Sequence, residues 1–366
     1  MHQEPSGVWI MAYTAIDDPS AHFQTLLYTG NGSSQTMTND GNSDLQPDFL
    51  WIKQRSGTEN HYLGNSSLAN KFLNSDRADT ESTNAGGKEL TYNSDGFAFA
   101  GSDSTWNGSS STYVAWQWKA NGGTRTTNTE SGNDPGGGYQ ANTTAGFSII
   151  DYTGTGSAGT MAHGLGAVPA VMIIKGRDIA GNWRVYHHKI ASDPETDAIK
   201  LDETAAVLDS AGFWNDTAPT SSVFSLGDND NTNEDGNTYI AYLWKEIQGY
   251  SKFGSYTGNG NVDGAFVYTG FKPAWVMIKA TDVDEWRIYD HKRANAFNVI
   301  NVRLKAHSNA AESQDDNECD FLSNGVKIRS SSGGVGSDGQ AYIYMAFAEQ
   351  PFVTSDDGGS IPCTAR

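Results

Sequence analysis

Apolar residues along this chain come in short runs separated by Gly, Asn, Ser and Thr, and the runs return in the same order three times. Each copy opens with a strand that runs into a glycine turn: FQTLLYTGNG from Phe23, FSIIDYTGTG from Phe147 and KFGSYTGNG from Lys252. The Tyr-Thr pair favours strand, and the glycines after it permit the positive φ of a chain reversal. Between 17 and 19 residues after the Tyr stands a Pro followed by an apolar run ending at Lys: PDFLWIK (Pro47 to Lys53), PAVMIIK (Pro169 to Lys175) and PAWVMIK (Pro273 to Lys279). A continuous apolar run behind Pro predicts a central strand buried on both faces.

Alternation then predicts a further strand in NWRVYHHK (Asn182 to Lys189) and EWRIYDHK (Glu285 to Lys292), with NHYLGNSS (Asn60 to Ser67) as the weaker counterpart. A later strand is expected at DGFAFAG, SVFSLGD and NGVKIRS, and a closing strand at TYVAWQWK, TYIAYLWK and AYIYMAFAE. Opening and closing tyrosines lie 85, 87 and 86 residues apart (Tyr28 to Tyr113, Tyr152 to Tyr239, Tyr256 to Tyr342), a spacing that chance does not produce. Many strands, tight polar turns and few helix signals predict an all-β protein of three tandem β-sandwich domains. Jelly-roll or lectin-like topology is expected, with an immunoglobulin-like arrangement as the alternative.

The expected boundaries are 1–121 for the first domain, with 1–10 an extension or a short extra strand at Val8 to Ile10. A Gly/Thr/Asn-rich linker, flexible or extended, follows at 122–144. The second domain spans 145–248, the third 249–353, and a tail 354–366. Only Gln248 and Gly249 separate the last two domains, so these are expected to pack as a rigid pair.

Composition narrows the function. Net charge is −19 at 366 residues, which repels a nucleic acid over most of the surface, so no nucleic-acid partner is expected. No run is long and apolar enough to span a bilayer, no export signal is evident, and membrane insertion is not expected. Cys319 and Cys363 sit apart without a metal or disulfide motif, consistent with folding in a reducing cytoplasm.

The segments MAYTAIDDPSAHFQTLLYTGNG, WQWKANGGT, AGFSIIDYTGTGSAGTMAHGLGAVP, DGAFVYTGFKPAWVMIK, AYIYMAFAEQPF and IPCTAR together resemble the tandem-repeat virion structural, tail-fibre-like proteins of marine tailed bacteriophages. The resemblance covers nearly the whole chain. It implies a non-enzymatic virion component made in the bacterial host cytoplasm, in a tail fibre or appendage, with a spacer or host-adhesion role. Capsid decoration and a carbohydrate-binding module for host-surface glycans are the alternatives. It also implies contact with other virion proteins and a homo-oligomer such as a trimer. It carries no catalytic residues. Copy one departs from the shared pattern between Leu63 and Asn93, and Cys363 stands where a small residue is expected.

Candidate chemistry is sparse, and no catalytic or cofactor-binding residue is assigned. His187, His188 and His291 beside Asp290 could serve acid–base or metal chemistry, but recurrence at equivalent strand positions favours packing. His163 reads as a turn residue, with no nucleophile motif around it. The run Asp228 to Gly236 offers Asp228, Asp230 and Asp235 as oxygen ligands for calcium, without the spacing of an EF-hand loop, and Asp315 to Glu318 is a second acidic run. Trp106 and Trp214, in polar loops, are candidate platforms for a sugar face or, more plainly, caps on the ends of the sheets. A glycan hydrolase would need a spaced carboxylate pair that the sequence cannot single out.

Overall fold

The computed structural model describes residues 13–68, 70–294, 298–354 and 362–364, with the backbone alone at 315 and 316. The expected extension 1–10 and most of the tail lie outside these residues. The chain is all-β: strands make nearly all of its regular structure, and the two α-helical turns span four residues each, Ala211–Trp214 and Asp230–Asn233.

Each copy contributes an opening strand (Phe23–Thr29, Phe147–Thr153, Ser251–Thr257), a central strand (Phe49–Gln54, Val171–Gly176, Phe271–Ala280), a hairpin strand (Tyr62–Asn65, Arg184–His187, Arg287–Asp290) and a closing strand (Thr112–Trp118, Thr238–Trp244, Ala341–Pro351). In all three main sheets the antiparallel order is opening, closing, central, hairpin. A smaller sheet lies over two of these, formed by Gln35–Met37, Phe97–Phe99 and Leu90–Tyr92 in copy one and by Gly159–Ala162 and Val223–Leu226 in copy two. In copy three the matching pair, Phe266–Tyr268 and Gly325–Ile328, joins the main sheet through Ser313–Leu322, curling it nearly into a barrel.

The tyrosines that set the repeat are partners. Tyr28 lies opposite Tyr113, Tyr152 opposite Tyr239 and Tyr256 opposite Tyr342. Their rings stack at 5.1, 5.2 and 4.9 Å. The glycine two residues after each opening Tyr is dictated by close approach. A Cβ on Gly30, Gly154 or Gly258 would stand 2.3, 2.3 or 2.2 Å from a carbonyl oxygen of the loop before the closing strand.

Alternation along the central and closing strands divides the side chains between two cores. Leu50, Ile52, Tyr113 and Ala115 face the small sheet of copy one, as Met172, Ile174, Tyr239 and Leu243 do in copy two. The other faces, Phe49, Trp51, Trp116 and Trp118 with Val171, Ile173, Tyr242, Trp244, Trp275, Met277 and Phe347, meet in one core shared by all three copies. Phe49 stacks on Tyr242 at 4.2 Å, Phe23 on Phe347 at 5.3 Å, and Trp118 meets Trp244 and Trp275 edge-on at 6.2 and 5.7 Å. The continuous apolar runs have two buried faces because one is covered by a copy's own small sheet or, in copy three, by the curled end of its main sheet, and the other by its neighbours.

Three sheets therefore close around a common centre, and this revises the expected layout of a flexible link followed by a rigid pair. The residues expected as linker carry strands Thr126–Asn128 and Gly137–Asn142, and the second of these pairs along the opening strand of copy two. Its glycines, Gly137 and Gly138, are paired on both sides, with Asn128 and Thr127 and with Tyr152 and Asp151, and these backbone hydrogen bonds override weak intrinsic propensity.

Candidate functional site: a polar pocket confined to the first copy

The loop that precedes each closing strand is held from two sides. The closing tyrosine hydroxyl donates to a loop carbonyl and accepts from a loop N–H: Ser104 and Gly108 for Tyr113, Asp230 and Glu234 for Tyr239, Gly333 and Ser337 for Tyr342. The opening tyrosine hydroxyl donates to Trp106 O, Thr232 O and Val335 O respectively, at 2.6, 2.6 and 2.8 Å. Trp106 thus occupies the place of Thr232 and Val335, and a ring is built in copy one where the others have a small side chain.

That ring is folded inward. Trp106 is 3% exposed and packs on Phe99 at 5.3 Å, Tyr62 at 5.1 Å and Phe72 at 5.5 Å. Its faces are occupied, so it is not a stacking platform, and its indole Nε1–H has no hydrogen-bond partner. The same stretch of copy one that breaks the repeat supplies the surroundings. Asn84, 3% exposed, donates from Nδ2 to the Tyr62 hydroxyl at 2.7 Å and leaves Oδ1 without a partner.

Both side chains line a pocket of about 550 Å³, together with Asn60, Asn74, Arg77, Asp79, Lys88 and Asp103. Its charges are internally matched: Arg77 pairs with Asp79 at 2.5 Å and Lys88 with Asp103 at 3.0 Å. Burial pushes the Asp103 carboxyl up, but the Thr105 N–H and Lys88 outweigh it and hold the group below the usual carboxylate range. A general acid at neutral pH needs the reverse. What the pocket offers is one buried donor, one buried acceptor and a rim of balanced charge, a set suited to a neutral polyhydroxylated ligand.

The other sequence candidates serve the fold. Trp214 is 1% exposed, donates to Asp197 O at 2.8 Å and packs on Tyr186. Buried in this way, it presents no sugar-binding face. Asp228, Asp230 and Asp235 belong to the tyrosine-anchored loop, where Asn229 caps a helical turn and Asp230 O accepts from Tyr239. Among the described residues no three His, Cys, Asp or Glu side chains gather in a way that could hold a metal. Glu318 lies inside copy three, tied to Arg287, Arg303 and Tyr289.

The histidines and Asp290 lie at the seams between copies. His187 Nε2 is 3.1 Å from Tyr344 O and His188 Nε2 is 2.7 Å from Phe253 O. Asp290 accepts from Trp116 Nε1 at 2.9 Å and pairs with Arg293, both carboxylate and guanidinium fully buried. His163 is buried in its turn, its Nδ1 accepting from Leu165 N.

The pocket residues Asn84, Arg77 and Lys88 carry no motif, and the one signal pointing to them is the departure of copy one from the repeat. No helix among the described residues is long and apolar enough to cross a membrane.

Fold and site together define an all-β protein of three equivalent sheets closed around one core, with a single elaborated copy. The chain belongs to the family described as a domain of unknown function, DUF7483, whose model matches residues 18–351. That match takes in all three copies. No curated protein and no solved structure matches the chain.

Proposed function

We propose that this chain is a non-enzymatic structural component of a tailed-phage virion, carried on a tail fibre or appendage as a stiff spacer that meets the host surface. The observation that carries it is the cyclic closure of the three copies on one core, which makes a rigid body from a single chain, with buried ionisable groups such as His187 and Asp290 used in the seams. The motifs that resemble tail-fibre-like proteins point the same way. Jelly-roll or lectin-like topology for each copy, contact with other virion proteins, and a homo-oligomer such as a trimer belong to the same proposal. Labelling purified particles with an antibody to this chain tests it. Signal on a fibre or appendage is expected; signal spread over capsid faces would make it a decoration protein, and particles without the chain would refute a virion role.

A second reading, host-glycan binding, is favoured by the unpartnered Trp106 Nε1 and Asn84 Oδ1 in the copy-one pocket. A glycan array is expected to return a saccharide whose signal Asn84→Leu abolishes and Trp106→Phe lowers at least tenfold. An array with no binder above background removes this reading.

A further inference from the structure

The closed ring has three seams, and equivalent residues can be compared across them. After each hairpin strand a turn residue donates its N–H to the residue following the central-strand proline or aligned with it: Ser66 to Asp48 O, His188 to Ala170 O, His291 to Ala274 O, at 2.8, 2.9 and 2.9 Å. Across the seam lies the opening strand of the next copy, where the residue three before the opening Tyr is Ile149, Phe253 or Thr25.

Two seams are filled. At the first, Gln140 donates to Ser66 Oγ at 2.8 Å and Ser67 Oγ at 2.7 Å. At the second, His188 reaches Phe253 O at 2.7 Å, and Glu246 holds Lys252 and the Phe253 N–H. At the third, between copies three and one, a cleft of about 460 Å³ remains, lined among others by Thr25, Asp18, Asp40, Glu349, His291 and Lys292.

The substitution at position 25 opens it. Ile149 and Phe253 are part of the central core, whereas Thr25 is smaller and polar. Thr25 is 2% exposed and its Oγ1 has no hydrogen-bond partner, an arrangement that costs free energy unless something completes it. Glu349 Oε1 accepts from Lys272 at 3.1 Å, but its Oε2 is likewise without a partner. Around these atoms Asp18, Asp40 and Glu349 line the cleft, Asp40 paired with Lys292 at 2.9 Å and Glu349 with Lys272 through its other oxygen.

We propose that this cleft binds a basic group, an ammonium or guanidinium on a short aliphatic stem, with Glu349 and Asp18 meeting the charge and Thr25 Oγ1 accepting a hydrogen bond from it. Such a group comes either from a free diamine or from a lysine or arginine side chain of a partner protein. Calorimetric titration of the full chain with cadaverine and, separately, with Nα-acetyl-lysine methylamide tests the site and separates the sources.

Saturable binding is expected, weakened at least tenfold by Glu349→Gln and by Thr25→Ile. The second variant reproduces the residue of copy two, so its melting temperature is expected to stay at or above that of the parent. Tighter binding of cadaverine assigns a free amine, and tighter binding of the capped lysine assigns a protein side chain. Absence of binding by both probes, or binding that Thr25→Ile leaves unchanged, overturns the proposal; the latter would be attraction to the chain's overall negative charge.

Discussion

Three lysines end the central strands, and each is buried. Lys53, Lys175 and Lys279 donate from Nζ to nearby backbone carbonyls, and burial holds each down to about 8. The unfolded chain binds these protons at a pH where the folded one has released them, so stability is expected to rise from about pH 8 to 10. Denaturation midpoints at both ends of that window check the sign, and Lys175→Met is expected to flatten the rise.

On the acid side, burial pulls His187 down to about 3 and His307 to about 4. Folded-state pKa values this low mean that stability is lost as pH falls through the ordinary histidine range, by up to about 1.4 kcal/mol per pH unit for a fully buried ring. Asp76, which burial raises to about 6, opposes one histidine, since its folded form takes up the proton first. Urea midpoints are expected to fall between pH 7 and 4.5, and His187→Asn is expected to reduce the slope.

At the scale of elements, the seams repeat in a ring. The residue just before each hairpin strand reaches back to the previous copy: Trp183 Nε1 to Asn74 O at 2.9 Å, Trp286 Nε1 to Lys200 O at 2.7 Å, and His61 Nε2 beside Lys305 O at 3.0 Å. Its end reaches forward, with Asn65 donating to the Tyr242 hydroxyl at 2.9 Å and Asp290 accepting from Trp116. Arg177 on Glu81 and Arg55 on Glu312 lock the edges at 2.8 Å each. Burial works against the Asp290 charge, yet Arg293 holds its carboxyl below the usual range. Removing one member of such a pair leaves a buried charge, so Asp290→Ala is expected to destabilise by about 3–5 kcal/mol, measured by chemical denaturation.

Much of this level was legible in the sequence. The Tyr spacing marked strands that pair, and the apolar runs behind Pro marked two buried faces. Periodicity does not say what covers a face, so the shared core was hidden. Gly137 and Gly138 read as linker because the strand they form depends on the edge of Phe147–Thr153 and not on their own propensity. Trp106 read as a loop aromatic because the Tyr28 hydroxyl that folds its loop inward acts across 78 residues of chain, and Trp214 because the partners that bury it, Asp197 O and the Tyr186 ring, belong to earlier strands.

At the scale of the molecule, closure makes the three copies depend on one another. Trp118, which touches rings from both other copies, is 1% exposed at the centre. Truncating it to Ala is expected to cost about 3–5 kcal/mol and to lower the stability of all three copies together. A copy excised alone would expose the aromatic face that its neighbours cover.

The central claim is that the three copies form one body around one core. Differential scanning calorimetry of the full chain, with the calorimetric enthalpy compared with the van't Hoff value, tests it most directly. A single transition with the two enthalpies equal is the expected result, whereas two or three resolved transitions, each retained by an excised copy, would contradict it.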